Sequence, residues 1–163
     1  MDHRQYANIR LQLWREPEII LLGRLIFGEA RGETISERIA VAHIVRNRSL
    51  RGGWWGKTVK EVCLARSQFS CFNADDPNLL ELMNVRMDDT VFIHCVGVAG
   101  VVLQNSLPDP TGGATHYYSG EVTPYWADSM ECTLQTKGFR FSEREDKVSE
   151  SGLNGVKEKK VTK

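Results

Sequence analysis

The segment from about Thr90 to Gln104 constrains the fold most. Val91, Phe92, Cys95, Val96, Val98, Ala99, Val102 and Leu103 distribute apolar side chains around the whole helix circumference. A helix of that kind has to be wrapped by other elements. It predicts a central buried helix, capped by Asp88 or Asp89. Any fold for this chain must supply helices or a sheet around it.

The flanking segments supply them. Pro17-Glu18 opens a helical pattern over about 17–31, with Ile19, Leu22, Leu25 and Ile26 on one face. Thr34-Ile35-Ser36-Glu37 reads as a capping box, and the helix it starts runs to about Ser49 before Gly52-Gly53. Thr58 to Glu61 is a second capping box, opening a short helix through Ala65. Residues 66–76 read as a loop, and Asp76-Pro77 starts a short helix bearing Leu79, Leu80 and Met83. Beyond Leu107 prolines and glycines break the chain. Thr115 to Ser119 reads as a short strand or rigid loop, Trp126 to Met130 as a helical turn, and Thr133 to Phe141 as containing a strand. The fold class is therefore α+β, predominantly α, in a single domain of about 1–141 with short strands. Residues 142–163 hold six basic and five acidic residues with only three valines and one leucine. That composition predicts a solvated, flexible charged tail.

Charge and composition exclude several functions. Lys+Arg and Asp+Glu are both 21, a net charge of zero. This argues against a nucleic-acid partner held by bulk electrostatics. Contiguous apolar runs such as Ile19 to Leu22 are far too short to cross a bilayer. No secretory signal is legible at the N-terminus, so synthesis in the cytoplasm is the expectation. Cys63, Cys71, Cys95 and Cys132 form no C-x-x-C pair and read as reduced thiols.

Chemistry concentrates in Gly28-Glu29-Ala30-Arg31-Gly32-Glu33. Glu29 follows the apolar Leu25-Ile26-Phe27 wall at the C-terminal end of a helix. Desolvation and the negative end of the helix dipole both disfavour an anion there. A carboxyl kept protonated at neutral pH is what a general acid requires. Arg31 has Glu33 as its obvious partner. On spacing alone the same residues describe a helix end with a surface ion pair. Two other readings remain from residue types: a zinc site drawn from the cysteines with His94 and His116, and a cysteine peptidase pairing Cys63 or Cys71 with His94 or His116. Neither has the spacing its chemistry needs.

Three blocks together carry a resemblance. Residues Ile26 to Glu33 with Ile39 to Arg48, then Gln68-Phe69-Ser70-Cys71, then Gly113 to Tyr118 with Pro124 and Trp126, resemble the SleB/CwlJ family of cell wall hydrolases in order. The resemblance implies a lysozyme-like fold, no cofactor, and cleavage of peptidoglycan glycan strands between N-acetylmuramic acid and N-acetylglucosamine. It implies that Glu29 is catalytic, most simply as the single acid/base of a lytic transglycosylase. A muramidase using a second carboxylate is the alternative, and a non-catalytic wall-binding module is a further one. Gln68, Ser70, Tyr117, Glu33 and His116 are the expected substrate-binding residues. Trp54 and Trp55 are placed either against sugar faces or in the core, and Trp126 behind the cleft. The implied setting is a monomeric phage or prophage endolysin that reaches the wall through a holin.

Overall fold

The computed structural model describes residues 1–66, 68–120 and 123–143. Among these residues there are six α-helices: α1 (His3–Arg15), α2 (Glu18–Ala30), α3 (Ile35–Arg51), α4 (Val59–Leu64), α5 (Leu79–Asn84) and α6 (Thr90–Leu103). Three strands follow: β1 (His116–Ser119), β2 (Glu131–Gln135) and β3 (Phe139–Glu143). They form one antiparallel sheet in the order β1-β3-β2, with Tyr117 opposite Phe141. The expected helix-rich α+β class holds.

Local chemistry explains the boundaries. The Thr34–Glu37 and Thr58–Glu61 capping boxes are both closed. Asp89 caps α6 by accepting from the Phe92 amide. Helix α1 lies outside the sequence expectations. Asp2 and Gln5 form a reciprocal capping box at its start, and Leu13 is its one fully buried residue. Tyr6, Ile9 and Leu13 form a sparse apolar stripe at i, i+3 and i+7 that packs on the core.

The core lies where α2 crosses α6. Gly23 permits the approach: a Cβ there would sit 2.7 Å from Val96 Cγ2. Leu21, Leu22, Leu25 and Ile26 of α2 are fully buried, as are Cys95, Ala99 and Val102 of α6. Helix α6 is central but not enclosed on all sides: Ile93 and Val101 are exposed on one stripe. Its apolar residues outnumber the positions its neighbours cover. The sheet adds Phe139 and Phe141 to the core, the first edge-on to Tyr117 and the second stacked on it. Strand β3 continues to Glu143, two residues past the expected boundary, and Ser142 is buried. Most of the expected tail, 144–163, lies outside the described residues.

Candidate active site

Glu29 sits in the last turn of α2, half-buried. Two contacts orient its carboxyl. The Tyr117 hydroxyl donates to Oε2 at 2.8 Å, and the Cys71 amide faces Oε1 at 3.5 Å. The preceding Gly28 makes this possible. A Cβ at that position would meet Cys71 Cβ at 2.7 Å, so only glycine lets α2 lie against the 3-10 turn Ser70–Phe72.

Arg48 is the second organising residue, and sequence reasoning placed no role on it. It is 7 % exposed on α3. Its Nε donates to the Thr115 carbonyl at 2.8 Å and its Nη1 to Gln68 Oε1 at 2.9 Å. Its guanidinium lies over the Phe69 ring, 5.1 Å from the centroid. Burial pulls it down to about 10, against the opposing pull of Tyr117 and Glu29 nearby. An arginine only donates, so the Gln68 amide must present its oxygen to Arg48. The Gln68 NH2 group is thereby left for the cleft.

That cleft has a volume of about 580 Å³. Arg48, Gln68, Tyr117 and Trp126 line it together with the exposed Trp54 and Tyr125. Trp54 is 70 % exposed and Tyr125 92 % exposed. The outer rings are therefore free to meet a flat, partly apolar ligand such as a sugar face. Trp126 lies in the wall rather than behind it, in ring contact with His116 at 5.3 Å and Tyr118 at 5.6 Å. Trp55 is half-buried against His116.

The expected site residues divide. Glu29, Tyr117 and Gln68 converge, the last through Arg48. His116 lines the same cleft with its Nδ1 3.0 Å from Thr115 Oγ1. Ser70 opens the 3-10 turn beside Cys71 and is exposed. Glu33 lies elsewhere, beside Gly138: a Cβ on Gly138 would fall 2.8 Å from Glu33 Oε2. The expected Arg31–Glu33 pair does not form. Arg31 reaches Glu81 of α5 at 3.4 Å and lies over the Phe27 ring, because the chain turns at Gly32 and parts the two side chains.

The cysteine reading finds no support in this geometry. Cys63 and Cys71 are buried, and burial pushes both thiols well above the ordinary range, with Glu29 adding to the effect at Cys71. No three potential metal ligands are gathered among the described residues.

The chain belongs to the Cell Wall Hydrolase family, whose profile matches residues 32–142, from just after Glu29 into the last strand. Two solved structures share the fold. One is the catalytic domain of the Bacillus cereus SleB protein, at 20% identity and a TM-score of 0.58, covering 77% of this chain and 89% of that one. The other is the catalytic domain of the germination-specific lytic transglycosylase SleB from Bacillus anthracis. It has the same identity and TM-score and covers 77% of this chain and 93% of that one. No curated protein sequence matches the chain.

Proposed function

We propose that the protein cleaves peptidoglycan glycan strands between N-acetylmuramic acid and N-acetylglucosamine as a lytic transglycosylase, with Glu29 as its single acid/base. The observation that carries this reading is a carboxyl oriented by Tyr117 beside an aromatic-lined cleft. Glu29 reaches that cleft through Tyr117, which lines it, and no second acidic residue is found among the described lining residues. Membership of the Cell Wall Hydrolase family supports the substrate class.

Glu29 protonates the glycosidic oxygen as the bond to the muramic C1 breaks. The carboxylate so formed takes the proton of the muramic C6 hydroxyl, whose oxygen then closes on C1 to give a 1,6-anhydro ring. The proton is returned, no water is consumed, and a second protein carboxylate is unnecessary. A retaining or inverting hydrolase would need one. Trp54, Tyr125 and Trp126 stack on sugar faces, and the Gln68 NH2 donates to a sugar hydroxyl or acetamido oxygen. The setting we propose is an endolysin made in the host cytoplasm and released by a holin. Lysis that requires a co-expressed holin tests that setting.

Loss of glycan cleavage in purified Glu29→Gln, with folding retained, tests the role of Glu29. Full activity in that variant would refute it.

A further inference from the structure

A second groove, of about 600 Å³, runs between α1 and the 65–74 segment. Tyr6 and Arg10 of α1 form one side, and Phe69, Phe72 and Asn73 the other. Arg66 lines both this groove and the glycan cleft, so the two adjoin at its side chain. The junction is cationic. Arg48 and Arg66 face the cleft and Arg10 and Arg66 the groove, with no acidic residue among the described residues lining either. Neither Arg48 nor Arg66 forms an ion pair among the described residues. The whole chain is neutral, so this one-signed lining is a local feature that would attract an anion.

A muramic-acid strand is branched. At the lactyl group a peptide carrying carboxylates leaves the glycan axis sideways, so a cleft that holds the glycan needs a lateral exit beside it. We propose that the α1 groove is the binding site for this carboxylate-bearing stem peptide, with Arg66 at the branch point as the specificity-determining residue. The proposal rests on the glycan-cleaving reading above. Tyr6 ties the two sides of the groove together: its hydroxyl donates to the Phe72 carbonyl at 3.0 Å. Arg10 is likewise tethered, donating to the Leu64 carbonyl. The exposed Arg66 is the charge left to pair with an incoming carboxylate.

The test compares kcat/KM on stem-bearing strands with the same strands after an amidase has cut the lactyl–peptide bond. A charge-assisted contact predicts a preference for stem-bearing strands of about 10- to 100-fold. Arg66→Gln should bring that ratio close to one, and Arg66→Lys should restore part of it. A wild-type ratio near one, or an unchanged ratio in Arg66→Gln, overturns the proposal. Amidase cleavage turns the lactyl amide of stem-bearing strands into a free lactyl carboxylate on stripped strands, whereas oligomers of N-acetylglucosamine carry none. A loss by Arg66→Gln on stripped strands as large as, or larger than, that on stem-bearing strands would show that Arg66 does not read the stem carboxylates and would also overturn the stem site. If the wild type cleaves neither strand, the glycan-cleaving reading fails. Binding of the intact chain to the two strands then decides separately: tighter binding to stem-bearing strands upholds the groove, and equal or absent binding overturns it.

Discussion

The Tyr117 hydroxyl donates a 2.8 Å hydrogen bond to Glu29 Oε2, joining the first strand of the sheet to the last turn of α2 across 88 positions of sequence. The tyrosine ring is itself fixed, 5.8 Å from Phe141 and 5.4 Å from Phe139. The sheet thus holds the carboxyl through one aromatic side chain. Burial, and then the neighbouring Glu29, push the Tyr117 phenol well above its ordinary range, so it stays a donor across the working pH range.

Tyr117→Phe should therefore separate orientation from packing. The ring contacts survive and the donor is lost. We expect kcat to fall by about 10- to 100-fold, the equivalent of one charge-assisted hydrogen bond, with KM little changed. Thermal unfolding should show a stable fold. Unchanged kcat would remove Tyr117 from the site.

Gly28→Ala tests the close approach that puts Glu29 against Cys71. The added Cβ would lie 2.7 Å from Cys71 Cβ, so the 3-10 turn must shift. Overpacking of this kind costs about 1–3 kcal/mol. Urea unfolding should show that loss, and activity should fall further than stability because the shift displaces the carboxyl's surroundings.

Both of these residues show how far the sequence could be read. The Glu29 block was legible because its constraints are local: an apolar helix face, a carboxyl at its end and glycines on either side. Tyr117 could be preferred over Tyr118 only from alternation along a strand. The pairing register opposite Phe141 settles which ring turns inward. Arg48 was illegible, since an arginine within a helix reads as surface until its partners Gln68 and Thr115 are brought to it by tertiary folding. Arg31 and Glu33 misled for the opposite reason. Their closeness in sequence suggested a pair, but the turn at Gly32 sends one to α5 and the other to Gly138. Helix α1 was missed because it buries so little of itself.

Arg48→Leu should destabilise the fold by roughly 2–4 kcal/mol, because the buried Thr115 carbonyl loses its charged donor and Gln68 loses its anchor. Arg48→Lys should recover only part of this, since a single ammonium cannot reproduce the two-pronged geometry. Chemical denaturation of the two variants beside the wild type measures both effects.

Acid should weaken the fold at the helix–sheet junction. Glu37 is held at about 2 by hydrogen bonds from the Thr136 hydroxyl, against the upward push of burial, with Thr34 and the Gly138 amide adding to the downward pull. A carboxyl lowered on folding contributes stability that is fully present above its unfolded value near 4.5. That contribution is lost as pH falls toward 2. The contribution is on the order of 1–3 kcal/mol. Stability measured from pH 6 to pH 2 should fall less steeply in Glu37→Gln than in the wild type. Parallel curves would show that Glu37 carries no such linkage.

The most direct test of single-carboxylate chemistry at Glu29 is the mass of the fragments released from purified peptidoglycan. The account predicts muropeptides one water lighter than the reducing form, produced by the wild type and absent with Glu29→Gln. Reducing muramic ends would contradict it, because they require a water activated by a second carboxylate.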